Sequence, residues 1–150
     1  MTAQTVGQMT SKHSKLYVSA DGVNYTDLGG STNSFSPTGG SHGVGSTHTF
    51  EGTTPLIGLG RKEPVTATIR LLYTEVDGEA ADLFDGFFNN QDKIWVKWRP
   101  AGDGVGKWEW VGKGYCPDPV TPAGDATSSD IIVKEVTWVG TALTMGPQAS

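Results

Sequence analysis

Apolar and polar residues alternate with a period of two in two stretches near the middle of the chain, residues 63–73 and 93–99. In the first stretch every second residue from Val65 to Tyr73 is apolar, and threonine or arginine separates most of them. The second stretch resumes the alternation with three apolar residues on one face, Ile94, Val96 and Trp98. A period of two puts alternate side chains on the same side of a strand, so both stretches predict strands with one buried face.

Between these strands the apolar spacing becomes helical. Asp77 and Glu79 stand at the start, where the helix dipole favours negative charge, and Asn89-Asn90 mark the end. We therefore expect one helix over about residues 77–90, lying against the sheet. Its packing stripe follows the spacing i, i+3, i+4, i+7, i+8 and consists of Ala80, Leu83, Phe84, Phe87 and Phe88.

Turn signals divide the rest of the chain into short strands. Asp21-Gly22 predicts a hairpin near the N-terminus, and residues 107–111 return as a partner of 93–99 with paired tryptophans. Residues 130–140 are apolar on both faces, which is typical of a central strand. The predicted fold is mainly β: a β-sandwich or small barrel of seven or eight strands with one flanking helix.

One domain is expected over residues 15–140, with a flexible arm at 1–14 and a loose tail at 141–150. Residues 29–55 interrupt this domain with a long run rich in glycine, serine and threonine. Irregular loops longer than about 12–15 residues are uncommon in compact domains unless they have a function. We therefore favour an interaction loop, in which Phe35, Val44 and Phe50 provide apolar anchors, over a floppy linker.

Composition narrows the functional classes. The formal net charge is −5, whereas a protein that holds nucleic acid through its phosphates is normally basic. The single cysteine, Cys116, forms no intramolecular disulfide and suits a reducing compartment as a small buried residue. The N-terminal residues have no apolar core of a signal peptide, and no apolar run approaches the roughly 20 residues of a membrane span. We expect assembly in a cytosol and no contact with a membrane.

Catalytic and metal-binding patterns are weak. His42 and His48 share the glycine-rich loop without a cysteine partner, so a solvated or interface role is favoured over zinc binding. The chain lacks Gly-x-Ser-x-Gly, and the run from Gly58 to Lys62 lacks the full phosphate-loop pattern. We expect no enzymatic activity, no catalytic residues, no metal and no cofactor. A carbohydrate- or surface-binding β-sandwich, in which tryptophans would form a sugar platform, stays open as the alternative.

The order of these features resembles the major tail, or tail tube, proteins of long-tailed bacteriophages. Four stretches carry the resemblance: the hairpin LYVSADGVNYTDLGG, the segment PLIGLGRKEPVTATIRLLYTE after the glycine-rich loop, the helix GEAADLFDGFF with KIWVKWRP after it, and GKWEWVGKGYC before a proline-rich loop. Together they span most of residues 15–140.

The resemblance implies a structural virion protein that forms stacked rings, usually of six copies, around a channel for DNA. Its partners are then further copies of itself and other tail proteins at the tube ends, and DNA passes without specific binding. Six copies at −5 each would give a ring charge of −30, which suits such passage. Local sequence character favours a non-contractile tail. The terminal arms and the loop at 29–55 would join neighbouring rings, the loop through Phe35, His42, Val44, His48 and Phe50.

Overall fold

The computed structural model describes Gln4, residues 7–127 and residues 129–149. These residues form ten strands and one α-helix, which confirms the prediction of a mainly β fold with a single flanking helix. In chain order they are β1 (Lys15–Ser19), β2 (Thr26–Asp27), β3 (Thr32–Gly39), β4 (His42–Thr47), β5 (Leu56–Lys62), β6 (Val65–Leu72), α1 (Ala80–Asn90), β7 (Lys93–Arg99), β8 (Trp108–Tyr115), β9 (Val133–Gly140) and β10 (Thr144–Pro147).

Eight strands make one antiparallel sheet in the order β2-β1-β7-β8-β9-β6-β3, with β10 paired to the first half of β8. The predicted hairpin at Asp21-Gly22 is present, because β1 pairs with β2 and Gly22 has a positive φ of 79°. β9 lies between β8 and β6, so the prediction of a central strand is also confirmed, although β10 follows it as the last strand. This strand begins at residue 133 rather than at 130.

The sheet folds over on itself where β8 meets β9. Only two residue pairs join these strands, Gly114 with Gly140 and Tyr115 with Val139. A Cβ atom at Gly114 would lie 2.1 Å from the carbonyl oxygen of Val139, and one at Gly140 would lie 2.4 Å from the Trp138 ring. Glycine at both positions therefore permits the close crossing that divides the sheet into two layers.

The core lies between these layers and consists of the alternating residues that the sequence pattern indicated. Across the layers the Phe35 and Trp98 rings stack with centroids 4.9 Å apart. The buried strand residues are Leu16, Val18, Phe35, Val65, Ala67, Ile69, Leu71, Ile94, Val96, Val136 and Trp138.

The helix covers one end of this core. Ala80, Ala81 and Phe84 are buried, Leu83 and Phe87 pack partly against the core, and Phe88 at the helix end is half-buried. The helix begins at residue 80 rather than 77, since Gly78 has a positive φ of 85°. Its first amide does not use a side-chain cap from Glu79. Instead, the backbone N–H of Ala80 donates to Ser31 Oγ at 3.1 Å.

The C-terminal segment is not the loose tail that the sequence suggested. β10 pairs with β8 over four residues, and Gln148 beyond it is buried. The Gln148 amide accepts from the N–H of Gly104 and donates to the carbonyl of Gly102, which holds the loop between β7 and β8. The predicted arm at 1–14 falls partly outside the described residues. Within it, Ser11–His13 form one turn of 3-10 helix.

Candidate assembly surfaces

The segment 29–55 is not an irregular loop, because it contains β3 and β4. β3 pairs with β6 in the main sheet, and β4 pairs with β5 in a separate two-stranded sheet. Backbone hydrogen bonds continue through the bend between the two sheets, from the N–H of Gly40 to the carbonyl of Pro64 and from the N–H of Glu63 to the carbonyl of Ser41. The two antiparallel ladders are thus one long hairpin with a bend.

Two consecutive glycines determine the geometry of the bend. Gly39 and Gly40 have φ of 82° and 74°, in the left-handed region that glycine adopts without strain. A Cβ atom at Gly39 would lie 2.5 Å from the carbonyl oxygen of Pro64. The outer half of the hairpin therefore leaves the main sheet in a direction that these glycines set.

We call β4, β5 and the loop 48–55 between them the ribbon. No part of the chain that the structure describes packs on its faces, although one face is apolar: Val44, Ile57 and Leu59 are 68%, 70% and 74% exposed. Val44 faces Leu59 across the ladder, and Ile57 faces Ser46, so the three apolar side chains lie together. On the opposite face Gly45 pairs with Gly58. An isolated two-stranded hairpin is at best marginally stable in water, and exposed apolar patches are typical of binding surfaces. The ribbon is therefore a candidate binding surface.

The ribbon tip carries a fully exposed aromatic residue, Phe50, with the carboxylate of Glu51 beside it in the sequence. The N–H of Gly52 donates to Thr49 Oγ1 at 3.1 Å and gives the tip a local turn. A large apolar side chain in water at the end of a projecting hairpin is costly unless another molecule covers it.

Four of the five residues predicted for the interaction loop lie on the ribbon. Val44, His48 and Phe50 are exposed, and His42 is exposed with its Nδ1 3.1 Å from the carbonyl oxygen of Gly60. Phe35 lies instead in the core on β3, which separates it from the others. Sequence reasoning missed Ile57 and Leu59, whose alternation with glycine in residues 56–60 was the available signal.

A groove of about 360 Å³ opens at the base of the ribbon, between the two layers of the sheet. Trp98 and Trp110, which are register partners on β7 and β8, form its aromatic wall. The exposed residue Lys62 is also part of its lining. We call this groove the aromatic slot, and its other apolar lining residues are Pro37, Val65, Ala142 and Leu143.

The tryptophans do not form an exposed platform of the kind a sugar would stack on. All five lie in described parts of the chain: Trp138 is buried, Trp95, Trp98 and Trp110 are half-buried, and Trp108 is 52% exposed. Trp95 is covered on one side by Gly22 and has the Lys113 ammonium 5.2 Å from its ring centre. The arrangement favours packing roles over a carbohydrate site.

The single cysteine also has a packing role. Burial, and secondarily the carboxylate of Asp118, raises the pKa of the Cys116 thiol to about 12, so this cysteine is a buried apolar residue. In the part of the chain that the structure describes, no three histidine, cysteine or acidic side chains are grouped as metal ligands. No helix among the described residues is long and apolar enough to cross a membrane.

Comparison with solved structures shows which fold this is. No protein-family model and no curated protein sequence matches the chain. The fold is similar to that of a chain in the sheath–tube complex of an extracellular contractile injection system, PVC, in its extended state. The TM-score is 0.65 at 18% identity, over 95% of this chain and 94% of that one.

Two further structures have the same fold. One is the cap of the anti-feeding prophage (AFP tube terminating cap), with TM-score 0.61, 16% identity and coverage of 99% of this chain and 96% of that one. The other is the sheath/tube terminator of PVC in the extended state, with TM-score 0.61, 17% identity and coverage of 93% and 96%. The chain therefore has a fold found in components of phage-tail-like injection machines.

Proposed function

We propose that this chain is a tube subunit of a phage-tail-like assembly, in which copies associate into rings and the rings stack. The observation that carries the proposal is the ribbon, an ordered hairpin with an exposed apolar face and an exposed aromatic tip. The shared fold with proteins of contractile injection systems supports it.

Burial of the ribbon supplies a driving force for stacking. Complete burial of one valine, leucine, isoleucine or phenylalanine side chain is worth about 1.5–3 kcal/mol. The ribbon offers Val44, Ile57, Leu59 and Phe50, and a ring repeats the set in every subunit. Repeated contacts between two rings reinforce one another, since the first contact holds the others close to their partners.

The sheet edges supply a route to ring closure. β2 and β3 stand at the two ends of the main sheet, and each has one side without a strand partner among the described residues. Unpaired strand edges invite addition of another strand, and a closed ring satisfies them without open-ended aggregation. We propose six copies per ring, as the resemblance to tail tube proteins implies.

The net charge of −5 per copy suits a channel that releases what passes through it, and DNA is the proposed passenger. The assembly is proposed to be a virion tail built in the host cytoplasm, with other tail proteins at the tube ends. Since two of the three similar structures come from extracellular contractile injection systems, the fold supports a contractile tail as well as a non-contractile one.

A second candidate is a subunit that ends a tube instead of building it. Two of the similar structures are described as a tube-terminating cap and a sheath/tube terminator. A terminating subunit would form single rings that do not stack on themselves, so the length of the assemblies distinguishes the two functions.

Replacement of residues 43–61 by an Asn-Gly turn between the register partners His42 and Lys62 tests the role of the ribbon. This change keeps β3, β6 and the core, and it closes their ladder with a two-residue hairpin turn. We expect a variant that unfolds like the wild type but sediments as monomers or single rings, while the wild type forms tubes. Tubes of normal length from the variant would refute the role of the ribbon in stacking.

A further inference from the structure

Two features of the surface fit one another but lie at different ends of the ribbon. The ribbon tip presents Phe50, with Glu51 next to it in the sequence, and the aromatic slot is lined by Trp98, Trp110 and the basic residue Lys62. The Phe50 ring is complementary to the aromatic groove, and the negative charge of Glu51 is complementary to the positive charge of Lys62.

The tip does not reach the slot of its own chain. The slot lies at the base of the ribbon, where Gly39, Gly40 and Lys62 line it. β5 spans seven residues from there to the tip loop, which is about 20 Å of extended chain at roughly 3.3 Å per residue. Pairing with β4 along this length keeps the ribbon extended. Any phenylalanine from a tip that fills the slot must come from a second copy.

We propose that Phe50 of one copy occupies the aromatic slot of another copy, with Glu51 paired to Lys62 of that copy. The inference rests on the proposed function and names the acceptor site for the ribbon. Aromatic side chains pack favourably with tryptophan at offset or edge-to-face geometry, and the two half-buried rings lose the rest of their water contact. The ion pair lies at the rim, where it sets orientation and register more than affinity.

The contact is heterologous, since the tip of each copy meets the slot of a different copy. Such head-to-tail contacts propagate into rings or stacks, whereas a self-complementary patch stops at a dimer. Each subunit has one tip and one slot, so every copy that joins leaves a free tip or slot for the next copy.

Cysteine cross-linking tests the contact directly. The variant E51C/K62C is concentrated with a short bismaleimide cross-linker and run on a denaturing gel, and negative-stain microscopy of the same samples records tubes. A disulfide requires Cα atoms about 4.4–6.8 Å apart, which is closer than the Cα atoms of a Glu–Lys ion pair usually lie. The bismaleimide spacer bridges the longer gap, so a ladder of covalent oligomers is the expected result. The wild type and a D77C/K62C variant are controls, because Cys116 is buried and Asp77 lies beside the helix.

Tubes without a ladder would overturn the inference and leave the proposed function intact. If the wild type forms neither tubes nor rings, the proposed function fails and the inference fails with it.

Charge exchange provides a second test that does not depend on the geometry of a cross-link. E51K or K62E alone places like charges together, and each is expected to raise the concentration needed for assembly about tenfold. The double variant E51K/K62E restores the opposite pair and should assemble as the wild type does. A double variant as poor as the single variants would overturn the pairing.

Discussion

Gly114→Ala tests the crossing that divides the sheet into two layers. The added Cβ would lie 2.1 Å from the carbonyl oxygen of Val139, 2.7 Å from its carbonyl carbon and 2.8 Å from the Cα of Gly140. All three atoms belong to the backbone, so no side-chain rotation relieves the clash. β8 and β9 must move apart by about 1 Å, and overpacking of this kind usually costs about 1–3 kcal/mol.

We expect a loss near the upper end of that range, about 3 kcal/mol. For a chain of this length the loss corresponds to a fall in Tm of roughly 6–12 °C. Equilibrium urea unfolding at low protein concentration, followed by tryptophan fluorescence, measures it without interference from assembly.

Gly86→Ala is the matched control, because the same methyl group is added inside α1 where nothing lies within 4 Å. Alanine is favoured over glycine in a helix interior by about 0.5–1 kcal/mol, so this variant should be more stable than the wild type. The reasoning is refuted if Gly114→Ala unfolds within about 0.5 kcal/mol of the wild type, which is the usual range of a neutral surface change.

Three further predictions concern the core and the ionisable groups. Phe84→Ala should cost about 3–5 kcal/mol because Phe84 is buried under the helix, whereas Phe88→Ala should cost clearly less; equal losses in urea unfolding would contradict the described packing. The raised pKa and burial of Cys116 predict slow reaction with a thiol reagent at pH 8 in buffer and rapid reaction in urea, and equally fast reaction in both would disprove burial. Hydrogen bonds from Arg99 and then Tyr17 lower the pKa of Asp103 below its ordinary 3.8, so the stability this carboxylate adds is present above pH 4 and is lost as the pH falls through the lower folded value. The difference in Tm between the wild type and Asp103→Asn should therefore shrink between pH 7 and pH 3, and a constant difference would exclude this effect.

The sequence predicted the elements that have one buried face. β6 alternates from Val65 to Leu71 and α1 repeats its apolar residues at helical spacing, because each packs one side on the core. The ends of the elements were less accurate. Gly78 adopts a left-handed conformation and delays the start of the helix, which acidic residues alone do not reveal.

The strands β4 and β5 were not predicted because neither face of the ribbon is buried within the chain. β4 consists of glycine, serine, threonine, histidine and one valine, a composition that favours loops when no burial pattern opposes it. Its strand conformation depends on pairing with β5 across the hairpin. β10 was missed for a related reason, since Gly146 and Pro147 are rare in strands and are tolerated at an edge.

The aromatic slot was beyond sequence reasoning. The sequence indicated aromatic pairs between residues 93–99 and 107–111, and the structure contains one such pair, Trp98 with Trp110. The space in front of these rings depends on how far the two layers separate beyond the Gly114–Gly140 crossing. That separation is a property of the whole sheet and not of any local pattern.

Negative-stain electron microscopy of the wild-type protein over a concentration series tests the central claim most directly. The account predicts hollow tubes of uniform width that lengthen as the concentration rises. Single rings that never stack would support the tube-terminating function instead. Persistent monomers at every concentration, also in sedimentation analysis of the same samples, would contradict the claim that this fold assembles on itself through its ribbon.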